Sequence, residues 1–120
     1  MELSYRFGFD AAHRFAHFPE GHPNAGVHGH SFEAEATLAG EPDPRTGFVV
    51  DFAELEAACR ELRAQLDHRM LNELEGLSAP SLENLCRWIW RRLEPRFANL
   101  VRITVRRNSA GQSCTYTGRG

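Results

Sequence analysis

The 120-residue sequence contains no lysine: all 14 basic side chains are arginine, which removes Schiff-base chemistry and a lysine general base from the available mechanisms. Cysteine is scarce too. The three cysteines are odd in number and nowhere form a C-x-x-C pair, so neither a disulfide framework nor a cysteine zinc site is indicated, and a reducing compartment fits. No apolar run approaches the length of a membrane-spanning helix, and the opening MELSYRFGFD alternates where a secretory leader would run apolar. The expected location is the cytoplasm. A formal charge of −2 supplies no basic field for nucleic acid or anionic lipid, and neither partner is expected. The length, with 42% hydrophobic residues, fits one domain over residues 1–120.

What is present is periodicity. Leu3, Tyr5, Phe7, Phe9, Ala11 and His13 alternate with a more polar set, the pattern of a half-buried strand. Phe32, Ala34, Ala36 and Leu38 alternate against Glu33, Glu35 and Thr37 in a second strand, ended by Gly40, Pro42, Asp43, Pro44 and Gly47. Asp51 is a capping residue for a helix over 52–66 with Leu55, Cys59, Leu62 and Leu66 as its stripe. Pro80 and Ser81 start a second helix striped by Leu82, Leu85, Ile89 and Leu93, and Pro95 closes it. LDHRMLNELEGLS between them reads as a polar connection. Val101, Ile103 and Val105 alternate in a third strand, and a short run from Cys114 to Tyr116 makes a fourth. The predicted class is α+β, in the order β-β-α-α-β-β.

Residues two apart in a strand point to the same side with Cα atoms roughly 6.5–7 Å apart, so His28 and His30 of HGHSF project together. They share the parity of Phe32 to Leu38, and His13 continues the apolar face of the first strand. Three imidazoles then converge if the two strands pair as a hairpin. Three histidines with an open fourth position are the ligand set of catalytic zinc, although iron, cobalt or nickel would suit the same donors. His17 and His22 lie in the loop HFPEGHPN and are read as solvent-facing. Asp67 beside His68 forms a pair in which a carboxylate can fix an imidazole as general base. Cys59, Cys86 and Cys114 fall on core positions and none looks activated. HGHSFEAE also resembles the H-x-H and glutamate of a cupin, but Glu35 has the opposite parity to both histidines and no second cupin motif follows.

FDAAHRF, PEGH, HGHSF, TGFVVDF, LDHRMLNE and PSLENL occur in the order and spacing of the 6-pyruvoyl-tetrahydropterin synthases and their bacterial relatives, the 6-carboxytetrahydropterin synthases of queuosine biosynthesis. The chain resembles that family over nearly its whole length. The resemblance implies the tunnelling fold: a four-stranded antiparallel sheet with two helices on one face, whose subunits join strands into an oligomeric barrel. It implies a trimer or hexamer with active sites between subunits. It also implies zinc on His13, His28 and His30, an acid/base pair in Asp67 and His68, and a lyase reaction on 7,8-dihydroneopterin triphosphate or a similar pterin, with magnesium assisting a triphosphate.

Two positions depart from the family's pattern. Asn24 stands where the family has its catalytic cysteine, and an amide cannot remove a proton as a thiolate can. Glu20 in the preceding loop is an alternative base. Arg107 stands where the family has the glutamate that accepts from the pterin's amino group and ring N–H, and it presents donors instead. Asn24 and Arg107 are therefore the expected substrate-binding differences. Arg107 either follows Val105 inward or frays with the strand end into solvent. The alternative function is a metal-containing homologue redirected to another heterocyclic or anionic ligand, with or without catalysis.

Overall fold

Alternating side chains draw the first third of the chain into a long hairpin. In the computed structural model, which describes residues 1–119, β1 (Glu2–His13) and β2 (His28–Ala39) pair antiparallel from Glu2 opposite Ala39 to His13 opposite His28, with no shift between. Phe7, Phe9 and Ala11 of β1 and Phe32, Ala34, Ala36 and Leu38 of β2 bury themselves on one face. β3 (Leu100–Arg107) and β4 (Gln112–Tyr116) extend the sheet in the order β1-β2-β3-β4, and Ile103 and Val105 continue the buried face.

Two helices cover that face. α1 (Phe52–Leu66) begins where the Asp51 carboxylate accepts from the Ala53 N–H at 2.9 Å, satisfying a donor that the first turn leaves free. α2 (Leu82–Leu93) begins where the Ser81 hydroxyl accepts from the Asn84 N–H at 3.1 Å. Leu55, Cys59, Leu62 and Leu66 of α1 and Leu82, Leu85, Ile89 and Leu93 of α2 are buried in one core with the sheet. The stripes are those the spacing predicts. Fully burying each leucine or isoleucine contributes about 1.5–3 kcal/mol, which makes this shared face the main source of helix stability.

Two segments differ from the expected pattern. Arg102 pairs with Thr37 but Leu100 pairs with Leu38, so Val101 is the extra residue of a bulge and Leu100, not Val101, enters the core. The polar connection between the helices is also more ordered than its composition suggests. Leu71 and Leu77 are fully buried, Leu71–Glu73 form one 3₁₀ turn, and the Trp88 indole N–H donates to the Glu75 carbonyl at 3.0 Å. Two buried leucines, with the half-buried Leu74 packed against the same core, anchor the segment.

The other face of the sheet carries polar pairs. Thr104 and Thr115 hydroxyls meet at 3.0 Å, Arg106 reaches Glu35 at 3.0 Å and Glu33 at 3.5 Å, and Arg102 pairs with Glu2. Such exposed or half-exposed pairs contribute only about 0–1 kcal/mol each, so they organise this face without holding the fold. Replacing Leu85 with alanine is expected to lower the unfolding free energy by about 2–5 kcal/mol, and Ser81→Ala by about 1 kcal/mol. Urea titration at one protein concentration compares them. A smaller loss for Leu85→Ala than for Ser81→Ala would contradict the packing argument.

Candidate metal centre

The unshifted hairpin register decides where the histidines go. His13 is directly opposite His28, and His30 is opposite Ala11 on the same face, so the three rings gather at the end of the hairpin. Ring centroids lie 4.6 Å apart for His13 and His28, 5.0 Å for His13 and His30, and 5.0 Å for His28 and His30. One ligand nitrogen from each lies within 4.8 Å of the others, and among the described residues no other group of three His, Cys, Asp or Glu side chains comes together in this way. The rings meet edge to face.

Backbone carbonyls set the tautomers. His13 Nδ1 lies 3.0 Å from the Pro80 carbonyl and His28 Nδ1 lies 2.9 Å from the Gly26 carbonyl. A carbonyl only accepts, so each Nδ1 carries the hydrogen and each Nε2 keeps its lone pair. His13 Nε2 and His30 Nε2 are buried with no hydrogen-bond partner. Buried polar nitrogens without partners are costly, and a cation held between them removes that cost. Burial, with the neighbouring His28, His30 and Arg107 charges, pushes the His13 pKa down to about 4 against the pull of the Pro80 carbonyl. Burial, then Arg107 and His28, lower that of His30 as well. Both imidazoles are held neutral, as ligands must be. The donor set and the two unpartnered nitrogens fit a zinc-type ion.

Asp67 and His68 follow α1 directly. Asp67 Oδ2 is 2.9 Å from His68 Nδ1 and 3.2 Å from Arg63, and its Oδ1 accepts the Asp10 N–H at 2.9 Å. The Asp10 amide first, with the His68 and Arg63 contacts behind it, keeps the Asp67 carboxyl below its usual range. His68 is the only non-glycine residue among those described with positive φ, 58°, and its N–H donates to the Asp10 carbonyl at 2.6 Å. The side chain is thereby turned out, 80% exposed. His68 and His30 both line a cavity of about 580 Å³ with Asp10, Ala11, Ala12, Gly29, Ser31, Arg69 and Met70. One histidine of the cluster, His30, and the imidazole of the Asp-His pair, His68, thus border the same space.

Arg107 ends β3, opposite Gln112. It is half-buried, its Nε is enclosed without a partner, and its charge acts on both His13 and His30. The inward alternative is the one found. Asn24 sits one layer away: its carbonyl accepts the Phe15 N–H at 3.0 Å, its own N–H donates to His22 Nδ1 at 3.0 Å, and Phe15 packs against His13 at 4.9 Å. No hydrogen bond joins the Asn24 side chain to the histidines among the described contacts. Glu20 is exposed in the same loop. His17 and His22 are exposed as expected, yet they flank Phe18 at 4.3 and 4.1 Å. Glu35 bonds Arg106 on the opposite face, which removes the cupin-like ligand set. The Pro80 and Gly26 carbonyls escaped sequence reading because backbone acceptors leave no residue-type signal.

The family model described as 6-pyruvoyl tetrahydropterin synthase matches residues 2–119. A putative 6-carboxy-5,6,7,8-tetrahydropterin synthase of Archaeoglobus fulgidus is 34% identical over 109 residues, covering 90% of this chain and 92% of that protein. A dihydroneopterin monophosphate aldolase of Pyrococcus furiosus is 33% identical over 103 residues, covering 84% of this chain and 82% of the relative. In three dimensions the chain matches the 6-pyruvoyl tetrahydropterin synthase of Caenorhabditis elegans with a TM-score of 0.87 at 24% identity, over 99% of this chain and 96% of that one.

The His13 shift has a sign that can be tested. In the unfolded chain a histidine protonates near pH 6.5 but folded His13 only near 4, so between these values the unfolded state binds the extra proton and stability falls with pH. For metal-free protein, stability is expected to decline as pH drops from 6.5 toward 4, and His13→Gln is expected to flatten that decline. Denaturant midpoints across this range, with chelator present, provide the measurement. An equal slope in both proteins would mean that His13 is not held neutral.

Proposed function

The chain belongs to the 6-pyruvoyl tetrahydropterin synthase family, and from that membership we propose that it is a zinc-dependent carbon-oxygen lyase acting on a pterin or pterin-like small molecule. The observation that carries the reading is the convergence of His13, His28 and His30, with the Nε2 atoms of His13 and His30 buried and unpartnered, beside the cavity that His30 and His68 both line. The relatives' names, a tetrahydropterin synthase and a dihydroneopterin phosphate aldolase, both specify pterin rings and support that substrate class.

His13, His28 and His30 would hold the ion. Zinc bound there supplies Lewis-acid chemistry, lowering the cost of removing a proton beside a carbonyl or hydroxyl. The proton itself is handled by the chain. Asp67 accepts from His68 Nδ1–H, which leaves His68 Nε2 free as base, and the Asp10 amide keeps Asp67 anionic while it does so. Asn24 cannot share this work, since an amide neither gives nor takes a proton near neutral pH. His68 therefore acts as the base, with Glu20 of the preceding loop as the alternative, and later returns the proton as acid.

We propose further that residues 1–120 act as one domain and that copies join edge to edge in the cytoplasm, as a trimer or hexamer with the site between subunits. The outer sides of β1, over its first residues, and of β4 have no strand partner among the described residues, and unpaired edges of this kind recruit another strand. Sedimentation of the zinc-loaded protein is expected to give three or six copies, and a monomer at all concentrations would refute the barrel.

The decisive assay incubates zinc-loaded protein with 7,8-dihydroneopterin triphosphate and follows triphosphate release and pterin products. His68→Ala is expected to slow turnover by roughly 10²–10⁴-fold with zinc content unchanged. His30→Ala should lose the zinc. Absence of both turnover and binding in the zinc-loaded wild type would overturn the lyase reading.

A further inference from the structure

Two arginines stand side by side at the end of β3, and their surroundings differ. Arg106 faces the polar side of the sheet and is neutralised by Glu35 at 3.0 Å and Glu33 at 3.5 Å. Arg107 faces the histidines, and no carboxylate pairs with it among the described residues. The acids nearest the site are committed elsewhere: Asp67 to Arg63, His68 and the Asp10 amide, and Asp10 to the Ser31 hydroxyl. The charged groups that act on His13 are His28, His30 and Arg107, with no acid among them. A half-buried guanidinium with an enclosed, unpartnered Nε thus sits beside the histidines with no carboxylate paired to it among the described residues. A divalent ion on the histidines would add positive charge beside it.

Such a group is complete only when an oxyanion arrives from solution. Guanidinium carries donors alone and matches carboxylate or phosphate oxygens in a fork, whereas the amino and N–H edge of a pterin would meet it donor to donor. We propose that Arg107 is the specificity residue of this site, receiving a carboxylate or phosphate of the ligand beside the three histidines. The inference rests on the reading of that cluster as the ligand-binding centre and names the class of substrate it takes: a pterin-like molecule with an anionic arm directed at Arg107.

Calorimetric titration of the zinc-loaded full chain with dihydroneopterin, dihydroneopterin monophosphate and pterin-6-carboxylate tests this. At least one anionic probe is expected to bind roughly tenfold or more tightly than uncharged dihydroneopterin, the worth of one charge-assisted contact. Whether the phosphate or the carboxylate probe gains identifies the source of the oxyanion. The preference should vanish in Arg107→Ala with zinc content and circular dichroism unchanged, and Arg107→Gln serves the same comparison if the alanine variant does not fold. Equal binding of charged and uncharged probes by the wild type, or a preference that survives both substitutions, overturns the proposal. A protein that shows the Arg107-dependent preference without turnover keeps this inference and refutes the lyase reading. Turnover without the preference does the reverse.

Discussion

The pairing of His13 with His28 across an unshifted hairpin is the constraint on which the rest of the site depends. A slip of one residue would send His28 and His30 to the opposite face, where Glu33 and Glu35 lie, and would expose Phe32, Ala34, Ala36 and Leu38. The apolar residues that prevent the slip are therefore also what hold the imidazoles together. Core packing and ligand geometry are one requirement here, met by one alternating pattern. The α2 cap belongs to the same arrangement, because Pro80, whose carbonyl orients His13, immediately precedes the capping Ser81.

The sheet separates two kinds of electrostatics. On one face each arginine meets glutamate, and the pairs sit in water where they cost and contribute little. On the other, burial first and neighbouring charges behind it lower the pKa of His13 and of His30, and no carboxylate pairs with Arg107 among the described residues. Polar residues on the first face satisfy themselves, and those at the end of the second await a ligand. That difference marks a binding site more clearly than burial alone.

Much of this was legible in the residues. Period-two runs located β1 and β2, and their shared parity with His13, His28 and His30 anticipated the cluster. The leucine stripes and the Asp51 and Ser81 caps located the helices. Three features were not legible, each for a physical reason. Val101 breaks parity because it is the extra residue of a bulge in the pairing of β3 with β2, and nothing in its side chain announces that. Leu71, Leu74 and Leu77 recur every third residue over too short a run to read as a helix stripe or a strand alternation, so the pattern does not mark Leu71 and Leu77 as buried. The positive φ of His68 is imposed by its tie to Asp10 and not by its own preference. The Asp67-His68 pair was readable as chemistry, but its backbone setting depends on a strand far away in sequence.

An edge strand ordinarily frays, since one row of its amides faces water. The end of β1 does not have that freedom. The Asp10 amide is held by the Asp67 carboxylate, the Asp10 carbonyl by the His68 N–H, and the Ala12 amide by the Arg69 carbonyl at 2.9 Å. Local opening of the sheet margin is thus coupled to release of the segment after α1, and solvent exchange at Asp10 and Ala12 becomes a reporter of that segment's motion. The strand that supplies His13 and the turn that supplies His68 are tied by these three hydrogen bonds, so opening one removes partners from the other.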